Sequence, residues 1–123
     1  MGEGGQTDQE RPGEISIEDF QRVDIRVGRI LSAEPLEGAR KPAYKLRIDF
    51  GPELGVRQSS AQLVARYRAE ELPGRLVLAV VNFPPRRIAG FKSEVLTLGV
   101  PDANGDVMLI APDADAPLGG RLF

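Results

Sequence analysis

The clearest pattern in the chain runs from Ala43 to Phe50. Tyr44, Leu46, Ile48 and Phe50 alternate with Lys45, Arg47 and Asp49, the period of a strand with one buried and one wet face. Upstream, Asp24 to Ala33 reads as a second strand, with Ile25, Val27 and Leu31 on one face and Arg26 on the other. Gly28 inside it predicts sharp curvature, as the closing of a small barrel requires. Gly51 to Gly55 is a turn that pairs the Tyr44 strand with Val56–Ser59. The period then changes. Leu63, Val64 and Tyr67 share one helical face, with Ser59 or Ser60 as N-cap, and Pro73-Gly74 lies beyond the helix end. Arg75–Val81 is an apolar strand buried on both faces. Val95–Leu98 is a further strand, and Asn104-Gly105 makes a hairpin turn before the last one, Asp106–Ile110. Near the start, Ser16 and Asp19 have capping-box spacing, and Ile17, Phe20 and Val23 fall on one face of a short helix.

Three strands, a helix and further strands is the element order of the OB-fold, a small, partly open barrel that binds oligonucleotides and other chains. The expected class is therefore mainly β: an OB-fold barrel of five to six strands with one central helix and a short N-terminal helix. Residues 1–14 are rich in Gly, Glu and Gln and read as a disordered acidic tail, which leaves residues 15–123 as one domain.

Composition narrows the chemistry. The 123 residues contain no Cys and no His. That removes thiolate nucleophiles, Cys-ligated zinc, the usual neutral-pH general base and the commonest metal ligand. Asp102, Asp106, Asp113 and Asp115 match no calcium-loop spacing and read as solvated loop acids. Lys92-Ser93 makes no nucleophile–base pair, because neighbours on an extended strand point to opposite faces. The expectation is a non-enzymatic binding protein without cofactor or metal. No apolar run approaches the ~20 residues that cross a bilayer. The N-terminus lacks the basic start and apolar stretch of a signal peptide, so no membrane insertion and a cytoplasmic location are expected.

The net charge of -2 is unevenly spread. Residues 1–19 carry one basic side chain and six acids, and residues 100–123 carry one and four. Residues 20–99 carry fourteen basic side chains and eight acids, so the body is basic and the ends are acidic. Part of that basic charge lies in the connection Val80 to Gly99, beside rigid and aromatic residues. Here Arg86, Arg87 and Lys92 suit phosphates, and Asn82 and Ser93 suit hydrogen bonds. Phe83 or Phe91 suits base stacking. The same stretch supports a polypeptide groove lined by Phe83, Pro84, Pro85, Ile88 and Phe91. Twin arginines on a loop also serve simply to keep a small protein soluble, and the two phenylalanines to anchor it.

The runs Arg57-Gln58-Ser59-Ser60-Ala61-Gln62 and Asn82-Phe83-Pro84-Pro85-Arg86-Arg87-Ile88-Ala89-Gly90-Phe91-Lys92-Ser93-Glu94 resemble the CsaA family. That family sits within the wider tRNA-binding-domain group. The resemblance covers residue 17 to the C-terminus. It implies an OB-fold homodimer acting as an export-related molecular chaperone on unfolded or secretory precursor polypeptides. The alternative it carries is a structure-specific tRNA-binding protein with no chaperone role. In the wider group a Gly-x-Lys-Ser run followed by Met is tied to tRNA binding. Gly90, Lys92 and Ser93 match it, whereas Glu94-Val95-Leu96 replaces the methionine. Ile17, Phe20, Leu118, Leu122 and Phe123 are the candidates for the dimer seam.

Overall fold

The computed structural model describes residues 13–123, so most of the acidic tail lies outside the described residues. A short helix, α1 (Ile17–Gln21), begins at Ser16. The Ser16 hydroxyl accepts from the Asp19 N–H and the Asp19 carboxylate accepts from the Ser16 N–H, the expected capping box. Strands β1 (Ile25–Pro35), β2 (Tyr44–Asp49), β3 (Val56–Ala61), β4 (Leu76–Val80) and β7 (Leu96–Thr97) form one antiparallel sheet in the order β3-β2-β1-β4-β7. Two hairpins complete the fold: β5 (Arg86–Ile88) with β6 (Phe91–Ser93), and β8 (Gly99–Pro101) with β9 (Val107–Leu109). Among the described residues no helix is long and apolar enough to cross a membrane.

The core follows from the β2 alternation. Tyr44, Leu46 and Ile48 are buried with Phe50, against Ile30, Val77, Ala79 and Val95. Each such large side chain contributes about 1.5–3 kcal/mol on burial. The sheet wraps because β1 is shared: its first half pairs with β4 and its second half with β2. Gly28 lies at the tightest point, where an added Cβ would stand 2.5 Å from Ile48 Cγ2 and 2.7 Å from Phe50 Cε1. A bulge between Ile30 and Ser32 shifts the register. It puts Ile30 in the core and leaves Leu31 exposed, so Leu31 does not share the buried face with Ile25 and Val27 as the simple alternation predicts.

The wrapped sheet nearly closes. The Thr97 hydroxyl donates to the Ser59 hydroxyl across β7 and β3 at 2.8 Å. Beside it, Glu94 and Gln58 exchange hydrogen bonds. The mainly β barrel of the OB type is thus present.

The central helix is not. β3 continues to Ala61, which pairs with Tyr44, so the backbone that the helix needs is already used in the sheet. Leu63 and Tyr67 are buried as expected, but in a single turn whose Tyr67 N–H donates to the Leu63 carbonyl. Tyr44 Oη donates to the Tyr67 carbonyl at the end of that turn. One turn of 3-10 helix (Ala69–Glu71) follows. Asn104-Gly105 does turn a hairpin, though between β8 and β9, because Leu96–Thr97 is taken by β4.

Candidate nucleic-acid interface

The connection between β4 and β7 is more ordered than a loop. Arg86 pairs with Ser93, Arg87 with Lys92 and Ile88 with Phe91, leaving Ala89-Gly90 as a two-residue turn. Both turn residues have positive φ, 52° at Ala89 and 79° at Gly90. That is the backbone of a type I′ turn, which suits the twist of a hairpin. Across from it, the loop 36–43 is closed by the Leu36 N–H donating to the Ala43 carbonyl. The two tips approach: a Cβ on Gly38 would lie 3.7 Å from that of Ala89.

Between loop and hairpin lies a groove of about 1320 Å³, floored by the end of β3 and by Val95–Thr97. Its rims carry Arg40 and Lys41 on one side and Arg86 and Arg87 on the other. Among the described residues none of these four has a carboxylate at ion-pair distance. The pairs that do form are Arg26–Asp24, Arg121–Asp24, Arg29–Asp115, Lys45–Glu34 and Arg66–Asp102. Glu94 is the one acid in the lining, and its carboxylate already accepts the Gln58 N–H at 2.9 Å. A groove with four cations outside any ion pair among the described residues attracts polyanions. Its apolar part is also exposed: Phe83 keeps 49% and Leu96 44% of their surface in solvent, next to Pro84 and Pro85.

The residues singled out from the sequence do not all fall together. Arg86, Arg87, Phe83, Pro84, Pro85 and Ile88 line the groove together. Ser93 also borders it, but is buried, accepting the Ser60 N–H at 3.0 Å. Gly90 sits at the hairpin tip, where its carbonyl accepts from Arg87, and Lys92 is exposed on β6. Asn82 lies elsewhere: Oδ1 accepts the Asp24 N–H at 2.9 Å and Nδ2 donates to the Arg22 carbonyl at 2.8 Å. It latches the end of β4 to the approach to β1. Phe91 lines a separate, smaller cleft.

Arg40 and Lys41 are the groove cations, and Leu96 the apolar groove residue, that sequence reasoning missed. An adjacent pair of cations between Gly38 and Pro42 was the available signal. Of the seam candidates, Ile17 and Phe123 are exposed, while Phe20, Leu118 and Leu122 are half-buried. The Leu122 N–H donates to the Ile25 carbonyl, and Arg121 Nη2 donates to the Gln21 carbonyl. Together these contacts set the C-terminal segment beside α1.

The model of the tRNA binding domain family matches residues 25–121. The chain belongs to this family. Within it, the chain is of the CsaA type. It is 52% identical to the CsaA chaperone of Bacillus anthracis, with a TM-score of 0.82 over 89% of this chain and 99% of that one. For the CsaA chaperone of Picrophilus torridus the figures are 45%, 0.83, 89% and 100%. A methionyl-tRNA-synthetase-related protein of Pyrococcus horikoshii shares the fold at 26% identity and a TM-score of 0.79, over 89% of this chain and 98% of that one. The methionine–tRNA ligase of Archaeoglobus fulgidus is 38% identical over 98% of this chain. The chain spans only 18% of that enzyme's length. The tRNA-binding domain is thus a part of such a ligase and not its whole.

Proposed function

We propose that this tRNA-binding-domain protein is a non-catalytic binder that holds a folded RNA of the tRNA class in the cytoplasm. The observation that carries the reading is the groove itself. Arg40, Lys41, Arg86 and Arg87 line it from two sides, none in an ion pair among the described residues, against the single acid Glu94. Family membership supports the same ligand. The absence of His and Cys from the chain, and kinship with a binding domain, support a role without catalysis.

A second reading is favoured by a separate observation. Phe83, Pro84, Pro85, Ile88 and Leu96 give the same groove an apolar stripe, and two relatives carry the name chaperone. In this reading the groove takes unfolded or secretory precursor polypeptides, with a role in protein export. A homodimer belongs to both readings. Its proposed seam is exposed Ile17 and Phe123 with half-buried Phe20, Leu118 and Leu122, and light scattering on the purified chain tests the dimer.

A competition experiment separates the ligands. Bound tRNA should be released by rising salt, since each neutralised phosphate releases counterions. A polypeptide held by apolar burial should survive the same series. Displacement of a bound unfolded polypeptide by tRNA, lost at high salt, supports one shared groove with RNA as its salt-dependent occupant. Absence of tRNA affinity at low salt overturns the RNA reading.

A further inference from the structure

A second cleft of about 180 Å³ opens beside the hairpin and shares no lining residue with the groove. Its wall is the outer face of three neighbouring strands. Cross-strand pairing sets Ser32 beside Arg47 and Arg47 beside Gln58, and Glu34 beside Lys45. Phe91 of β6 completes it. The hairpin is held in place there: Gln58 Nε2 donates to the Lys92 carbonyl at 3.1 Å, which fixes β6 against β3.

The lining defines the occupant. An apolar cavity of about 150 Å³ holds one benzene, so this cleft admits a single ring system and not a folded ligand. One aromatic side chain offers a stacking surface. Around it stand a hydroxyl, a guanidinium, an amide and the Glu34–Lys45 pair at 3.5 Å. A phosphate would use the cations and waste the ring. An aliphatic side chain would cover the ring and leave the polar groups to water. A planar heterocycle with donors and acceptors on its edge uses both. We propose that this cleft takes one unpaired nucleobase of the bound RNA, stacked on Phe91, next to the phosphate-binding groove on the same hairpin. The inference rests on the RNA reading of the groove.

The chain has no tryptophan, so Phe91→Trp installs a single tryptophan in the cleft, whose emission can be excited selectively over the two tyrosines. The probes are a single-stranded RNA hexanucleotide and an abasic phosphodiester of the same length. The hexanucleotide should quench the Trp emission saturably, and the abasic chain should bind without quenching. Phe91→Ala should weaken hexanucleotide binding about tenfold, the loss expected for one stacked base, while the salt dependence stays unchanged. Ser32→Phe, which fills the cleft from β1 and leaves Phe91 itself unchanged, should give the same loss. Equal quenching by both probes, quenching by an unfolded peptide in place of RNA, or wild-type affinity in both Phe91→Ala and Ser32→Phe overturns the base cleft. If the wild-type chain binds neither tRNA nor the hexanucleotide at low salt, the RNA reading itself falls. If it binds both and the two variants match it, only the cleft assignment falls.

Discussion

The Glu94 carboxylate accepts the Gln58 N–H at 2.9 Å, while the Glu94 N–H donates to the Gln58 carbonyl at 2.8 Å. One residue thus satisfies both backbone groups of its partner at the seam where the barrel closes. Loss of the side chain leaves the Gln58 donor unpaired in a half-buried position. Glu94→Ala should therefore cost about 1–2 kcal/mol in urea unfolding, and Glu94→Gln, which keeps an acceptor, much less. Equal loss from both variants would contradict this role.

Gly28→Ala tests the curvature of β1. The new methyl would meet Ile48 Cγ2 at 2.5 Å and Phe50 Cε1 at 2.7 Å, both in the closed core. Overpacking of this kind costs about 1–3 kcal/mol. The thermal midpoint should fall, while the salt dependence of RNA binding at a temperature where the variant is folded stays as in the wild type.

Ala89 carries a positive φ of 52° in the turn that presents Arg86 and Arg87. Left-handed backbone costs a residue with a Cβ about 1 kcal/mol. Ala89→Asn should raise stability by up to about that amount, since Asn tolerates this conformation. Ala89→Val should lower it by more, because a β-branched side chain at positive φ is strained. Chemical denaturation of the two variants checks the order.

Asp102 gives a pH dependence with a definite sign. Its carboxylate is held below the usual range, first by the Asp106 N–H, then by the Asn104 N–H and by Arg66. A depressed folded value stabilises the fold once the unfolded carboxyl is ionised, above about pH 4. That stabilisation is lost as pH falls through the lower folded value. Asp102→Ala should lower the thermal midpoint at neutral pH and flatten its acid-side decline. An unchanged acid limb would contradict the assignment.

Legibility in the sequence depended on whether the deciding contact was local. The Tyr44–Phe50 alternation and the Ser16–Asp19 capping box are local, and both are present. Leu63 and Tyr67 sit four residues apart, a spacing that serves a helix and a single anchored turn equally. What decided between them was the pairing of Ala61 with Tyr44, a distant contact. Leu31 was misplaced by a bulge that leaves no mark in residue type. The β5–β6 hairpin was hidden because its turn is Ala-Gly, without the Asn-Gly signature. In the candidate site, Arg86 and Arg87 stood out by charge. Arg40 and Lys41 join them only because the barrel brings loop 36–43 to the hairpin. Asn82 and Ser93 are polar letters whose side chains are used by backbone groups far along the chain.

Contact between the four groove cations and RNA phosphates is what the proposed RNA binding requires. Its most direct test is the slope of log affinity for tRNA against log salt, measured for the wild type, Arg86→Ala/Arg87→Ala and Arg40→Ala/Lys41→Ala. Each phosphate contact contributes about 0.7–0.9 to that slope. Each double variant should lose affinity and reduce the slope by about 1.5. A wild-type slope in both variants, or no tRNA binding by the wild-type chain at low salt, would contradict the account.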